Sequence, residues 1–346
     1  MEHDVSLQSA RNVIDALDVK KYTAVPIGIT KNGEWLDEYK SLRLLETEGR
    51  PVAQKGSHKK SFFEKIGRRL QEPHTDLGVD VLFPLVHGTF GEDGTLQGLA
   101  KLLDIPYVGA DILGSAIGID KDVTKRLLRA SGLPVVDFIT ARSGECDEAL
   151  FARCKKMLGL PFFFKPARLG SSVGISKVRD RSSFFQAVHL AEAYDDKFLI
   201  ERFIKGREIE CAVLGNDEPK ASALGEITTT SDFYTYTAKY IDPNATQLHI
   251  PALVDKKTTK KIQDVAIQAY TALCCSGMAR IDFFLTKENQ VYLNEINTIP
   301  GFTSVSMYPK LWEYSNVTYT NLISTLIKLA LERHTRESKL KKIFSL

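Results

Sequence analysis

Residues 278–309 read MARIDFFLTKENQVYLNEINTIPGFTSVSMYP and set charged groups at alternating positions of two short apolar runs. Side chains along a strand point to opposite faces in turn, so Arg280, Asp282 and Phe284 share one face of the first run. In the second run Leu293, Glu295 and Asn297 share a face. Lys287, Glu288, Asn289 and Gln290 between them read as the loop of a hairpin. A pairing of Leu285 with Tyr292 then sets Asp282 opposite Glu295. Two carboxylates and an amide oxygen on one face repel unless a cation sits between them or water solvates them. Oxygen-only ligands select a hard ion such as magnesium. Spacing alone leaves both readings open, a divalent site or a solvated hairpin.

A chain of 346 residues suits two or three domains better than one simple core. Its 43% apolar and 26% charged residues are those of an ordinary globular protein. A net charge of +3 is too small to argue for nucleic acid or a membrane surface as partner. The one basic stretch, residues 50–69, reads as a solvated loop and helix face, with anion binding as the alternative. Five cysteines (Cys146, Cys154, Cys211, Cys274 and Cys275) form neither a CxxC nor a zinc pattern, which suits free thiols in a reducing compartment. No leader pattern and no spanning apolar run is present, so the expected location is the cytoplasm.

Strand-like and helix-like segments alternate, an α/β or mixed α+β pattern. Residues 79–88 read as a buried strand, 94–105 as a short helix ending before Pro106, and 106–111 as a second short strand. A helix begins at Asp120, turns Val123, Leu127 and Leu128 inward, and stops at Gly132. Residues 160–167 form a strand that enters the loop RLGSSVG, with 175–178 as its partner, and two more strands flank Gly206. The polar, tyrosine-rich residues 228–251 lack apolar periodicity and read as a lid.

Six segments together resemble the D-alanine–D-alanine ligase family of ATP-grasp enzymes. They are EHDVSLQSA (2–10), HGTFGEDGTLQG (87–98), DKDVTKRLL (120–128), KPARLGSSVGISKV (165–178), FYTYTAKY (233–240) and EINTIPGFTSVSMYPKLW (295–312). Their order spans nearly the whole chain, which makes the set far more specific than any one member. The resemblance implies an ATP-grasp fold behind an N-terminal Rossmann-like α/β domain. The expected division is 1–114 for that domain, 115–204 for a central subdomain and 205–346 for a C-terminal one, with a lid at 228–251. The family usually opens with a strand and a glycine-pair loop ahead of the EHxVS motif. Here Glu2 follows Met1 directly, so either the start belongs further upstream or the domain lacks its first strand, and as written Glu2 is expected on a frayed end.

By resemblance the enzyme joins two D-alanines through an acyl phosphate, using ATP and magnesium or manganese, two ions in all. Lys165 at a strand end and the backbone of Gly170, Ser171 and Ser172 are expected at the phosphates, with Lys121 as a second nucleotide contact. On its own Lys121 is a lysine near a helix start, where the dipole disfavours it. Glu201, Phe203, Ile204 and Glu208 match adenine- and ribose-binding positions, with Phe233 and Lys239 also on the nucleotide side. Asp282, Glu295 and Asn297 become metal ligands, with Glu295 shared. Arg280 and the Gly301 N–H are the oxyanion donors. Glu2 and His87 hold the first D-alanine, and Ser306 with Met307 lies at the second. Tyr240 closes over the site toward Ser171 and Glu2, which favours an amine nucleophile. The resemblance also implies a homodimer. Two alternatives stay open: a same-fold ligase taking D-serine or D-lactate second, or a truncated nucleotide-binding protein with little turnover.

Overall fold

The computed structural model describes residues 2–46, 62–72, 75–229 and 246–341. Two antiparallel sheets organise the C-terminal two thirds. The first has four strands, β1 (Phe138–Arg142), β2 (Phe162–Pro166), β3 (Ser176–Val178) and β4 (Lys197–Arg202), in the order β1-β4-β2-β3. The second has five, β5 (Arg207–Gly215), β6 (Lys220–Thr229), β7 (Thr246–His249), β8 (Gly277–Leu285) and β9 (Val291–Asn297), in the order β7-β6-β5-β8-β9. The two strands flanking Gly206 do not pair with each other. They end one sheet and begin the next, so residues 203–206 are the crossover between the sheets.

Each sheet buries one face by strand alternation. In the first, Phe162, Phe164, Phe198 and Ile200 lie against α7 (Glu148–Leu158) and α8 (Arg181–Glu192). Each such fully buried side chain contributes about 1.5–3 kcal/mol. In the second, Ile209, Cys211, Ile281 and Phe283 pack under α9 (Lys256–Ala272). The opposite side is covered by α10 (Met307–Tyr314) and α11 (Tyr319–Ser338) through Ala212, Leu214 and Met278.

The N-terminal third holds α1 (His3–Asp15), α2 (Glu38–Leu45), α3 (Phe62–Gln71) and α4 (Thr95–Leu102). The strands expected at 79–88 and 106–111 reduce to one parallel bridge. In it the Leu82 N–H donates to Pro106 O (2.8 Å) and the Val108 N–H to Leu82 O (2.9 Å). Among the described residues no further strand flanks them, and a ladder without neighbours stays short. Of the basic stretch, Lys65 and Arg69 on α3 donate to the carbonyls of Leu77 and Thr75.

Two helices connect the halves. α5 (Ile112–Ile119) contains Gly114, the expected domain boundary, whose Cα packs so closely that a Cβ would lie 2.8 Å from Cys274 O. α6 (Lys121–Ala130) is capped by Asp120, whose carboxylate accepts from the Val123 N–H at 3.1 Å, a cap of about 1 kcal/mol. Leu128 faces inward as expected, but Lys121, Asp122 and Lys125 are buried too. The ends of the expected lid are strands: Thr228 and Thr229 of β6 pair with Gln247 and Thr246 of β7. Phe233, Lys239 and Tyr240 lie outside the described residues. No helix among the described residues is long and apolar enough to cross a membrane.

Candidate active site

The chemistry lies on the face of the first sheet turned away from α7 and α8, and on the face of the second sheet that α10 and α11 cover in part. Register places Phe163, Lys165, Leu199 and Glu201 on one face of the first sheet. On the second, Asp282 pairs with Glu210 on one side and Glu295 on the other, while Arg280 pairs with Asn297 and Phe284 with Glu208. The expected opposition of Asp282 and Glu295 is present, but the register leading to it differs. Leu285 pairs with Val291 rather than Tyr292, and a bulge lies between Asp282 and Phe283, with Asn294 as the extra residue. Leu293 therefore faces the core opposite Phe283, and does not share the face of Glu295 and Asn297. The strand needs this because Leu293 and Ile296 are both core residues, an odd spacing that strict alternation forbids.

α6 lies across the gap between the sheets and sends two lysines into it. Lys121 Nζ donates to Leu169 O in the loop after β2 and stands 3.7 Å from Glu295 Oε2. Lys125 Nζ meets Glu201 Oε1 at 2.5 Å and Leu293 O at 3.4 Å. The other Glu201 oxygen holds Lys165. Burial opposes the Glu201 charge, but Lys125 and Lys165 outweigh it and hold the carboxyl below its ordinary range. For Lys165 burial is likewise outweighed by Glu201, and its ammonium is held above the usual lysine range. For Lys125 burial prevails and lowers it, Lys165 adding repulsion. At the crossover Phe203 and Ile204 are half-buried, and Lys177 Nζ lies 4.3 Å from the Phe203 ring centroid.

A cation does sit among the hairpin carboxylates, and it is Arg280. Its Nε and Nη2 donate to the two Asp282 oxygens, both at 2.8 Å, and Nε lies 2.8 Å from Glu210 Oε2. Burial works against the guanidinium charge, yet Asp282 and Glu210 raise it well above its ordinary value. The Asn297 amide donates to Asp282 Oδ2 at 3.0 Å, leaving its oxygen for another partner. Among the described residues no three His, Cys, Asp or Glu side chains form a metal cage. Asp282, Glu295 and Asn297 nevertheless fit magnesium in a nucleotide site, which takes few protein oxygens and completes its shell with phosphate and water.

The amino-terminal segment closes the other end. Glu2 is expected on a frayed end, but its backbone carbonyl accepts from the Ser6 N–H and its carboxylate from the Ser171 hydroxyl. Ser171 and Ser172 are both left-handed, at φ 52° and 59°, a strained loop of the kind ligand sites retain. His87 is held by Ile299 O (3.1 Å) and Ser9 Oγ (3.3 Å), and burial pushes its imidazole below the usual range, Glu2 opposing. Ser306 Oγ accepts from the Thr303 N–H at 3.0 Å and crowds Gly301, where a Cβ would lie 2.6 Å from it. Met307 packs into the core against Gly225 instead of into the site. Sequence reasoning missed Glu92, Lys125 and Glu210. Two had a signal: Lys125 lies one helical turn after Lys121, and Glu210 alternates with Glu208.

The profile described as D-ala D-ala ligase N-terminus matches residues 1–110, and that described as D-ala D-ala ligase C-terminus matches 127–328. The chain belongs to the D-alanine–D-alanine ligase family. The D-alanine–D-alanine ligase A of Escherichia coli is 49% identical, over 98% of this chain and 95% of that protein. The ligase of Oceanobacillus iheyensis is 47% identical, over 98% and 94%. Among solved structures, the ligase from Coxiella burnetii has a TM-score of 0.78 at 39% identity, covering 98% of this chain and 94% of its own. The VanG D-Ala:D-Ser ligase from Enterococcus faecalis has a TM-score of 0.80 at 36% identity, covering 95% and 96%. The fold of this family member is accordingly ATP-grasp.

Proposed function

We propose that the chain joins two D-alanines to D-alanyl-D-alanine with ATP, releasing ADP and phosphate, for peptidoglycan precursor synthesis in the cytoplasm. The observation that carries this reading is the contact between Glu2 and Ser171, which joins the amino-acid end to the loop beside Lys165 within a family of known activity. A carboxylate is a poor electrophile, so the first D-alanine accepts the γ-phosphoryl group of ATP and becomes an acyl phosphate. The amine of the second attacks its carbonyl and phosphate leaves. Lys121, Lys165 and the Gly170–Ser172 backbone bind phosphates, while Glu201, Phe203, Ile204 and Glu208 hold the adenosine. Phe233 and Lys239 belong to the same nucleotide side, and Tyr240 to the closing lid.

Glu2 pairs with the first ammonium beside neutral His87, and Ser306 with the adjoining Met307 backbone receives the second carboxylate. Arg280 and the Gly301 N–H stabilise the tetrahedral oxyanion. Arg280 is already fixed by Asp282 and Glu210, so little reorganisation accompanies charge development. Asp282, Glu295 and Asn297 would hold magnesium or manganese, two ions with Glu295 shared. Such ions, when bound, offset phosphate charge and favour an in-line γ-phosphoryl group. The domain division 1–114, 115–204 and 205–346 and a homodimeric assembly belong to the same proposal.

The test is phosphate release from the chain with ATP, magnesium and D-alanine, with product mass read beside arms containing D-serine, D-lactate or L-alanine. D-alanine-dependent release with a D-alanyl-D-alanine product is expected. A mixed product in preference to it would move the chain to the D-serine or D-lactate type, and no release in any arm would overturn the ligase reading.

A further inference from the structure

We propose that Lys125 is a positioning residue for nucleotide binding: it neutralises one side of Glu201 so that Lys165 can leave the other side for phosphate. The inference rests on the ligase reading for the destination of Lys165. Its basis is the partition of a single carboxylate. Glu201 gives Oε1 to Lys125 and Oε2 to Lys165, all three side chains being buried, with relative exposures of 1%, 8% and 2% for Lys125, Lys165 and Glu201.

Lys125 comes from α6, whereas Lys165 and Glu201 come from neighbouring strands of one sheet. Its ammonium is further anchored by Leu293 O of the second sheet, so it is fixed from three elements. Lys165 stands one residue before the end of β2 and is the most exposed of the trio, so it is the member assigned to move in this exchange. If Glu201 had only Lys165 as partner, moving that lysine to phosphate would strand a buried carboxylate. Leaving such a charge unpaired is strongly unfavourable, and the ion pair would compete with ATP. With Lys125 in place the carboxylate keeps a cation when Lys165 departs. Lys121 takes no part in this exchange, because its partners are Leu169 O and Glu295.

The experiment compares the full chain with Lys125→Gln and Lys125→Arg, reading ATP affinity by calorimetry without D-alanine as well as KM and kcat. Lys125→Gln should weaken ATP about 10- to 100-fold, the worth of one charge-assisted contact, with the KM for D-alanine within about threefold. Lys125→Arg should restore most of the ATP affinity. In a Glu201→Gln background the carboxylate no longer needs a counter-ion, so adding Lys125→Gln should change ATP affinity less than about threefold. That pair leaves no unpaired buried carboxylate, and it carries the test if the single Gln variant does not fold. Unchanged ATP affinity in folded Lys125→Gln, or a further tenfold loss in the Glu201→Gln background, would overturn the proposal. Failure of the ligase reading is separate: the parent chain would bind ATP yet release no phosphate with D-alanine.

Discussion

Glu92 shows how one buried group can set a pH dependence. Its carboxylate accepts from the Gly88 N–H at 2.8 Å, and burial, with Glu2 nearby, pushes its pKa up to about 8. The folded state therefore holds a proton that the unfolded chain releases above its ordinary value of 4.5. This contribution to stability is fully present below 4.5 and is lost as pH rises through about 8. Urea midpoints of the unliganded chain should fall between pH 5 and 8, and Glu92→Gln should flatten that decline. Gly88 is the more sensitive neighbour, at φ 81° with a virtual Cβ 2.1 Å from Glu2 Oε2. Gly88→Ala should cost about 1–2 kcal/mol in strain and displace Glu2, lowering kcat/KM for D-alanine by roughly tenfold; an unchanged ratio would argue against Glu2 as a substrate contact. Glu295→Gln should remove most magnesium-dependent turnover and leave the urea midpoint in place, since its 3.7 Å pairing with Lys121 is loose and partly solvated.

At the scale of elements, the β8–β9 hairpin absorbs one inserted residue. Asn294 lets Leu293 and Ile296 both reach the core while Glu295 and Asn297 reach the site. Asn294→Ala keeps the bulge and should retain activity. Deleting Asn294 makes the spacing even, so Leu293 and Ile296 stay in the core, Glu295 and Asn297 stay on the site face, and D-alanine-dependent phosphate release should persist with at most about a tenfold loss. α11 is tied down by an arginine that, among the described residues, bonds to carbonyl and hydroxyl oxygens and to no carboxylate. Arg333 donates to Gly109 O and Ser276 Oγ at 2.6 Å and to Tyr107 O at 2.7 Å, over the Tyr107 ring. Arg333→Met should destabilise the fold by about 2–4 kcal/mol in urea unfolding, while ATP affinity is unchanged.

At the scale of the whole molecule, the site exists because four separate parts of the chain meet. Glu2 comes from the N-terminus, Lys121 and Lys125 from α6, Lys165 and Glu201 from one sheet, and Arg280 to Asn297 from the other. Sedimentation should give twice the 38.7 kDa chain mass, as the proposed homodimer requires, and a 38.7 kDa species at micromolar concentration would reject it. Much of this was legible beforehand. Asp282 facing Glu295 was expected, though from a register without the bulge; α6 was legible from its Asp120 start and apolar period, and the family from six ordered motifs. These signals are local, carried by residues within one or two turns of each other. What the chain's order could not disclose is non-local. The bulge at Asn294 answers to a core formed with α9, the Lys125–Glu201–Lys165 partition needs a helix laid across a sheet, and Glu2 is held by a serine 169 residues away. Periodicity reports which face a residue takes against its own neighbours. Only packing decides which charges share a buried space, because their energies depend on distances and desolvation that sequence spacing does not contain.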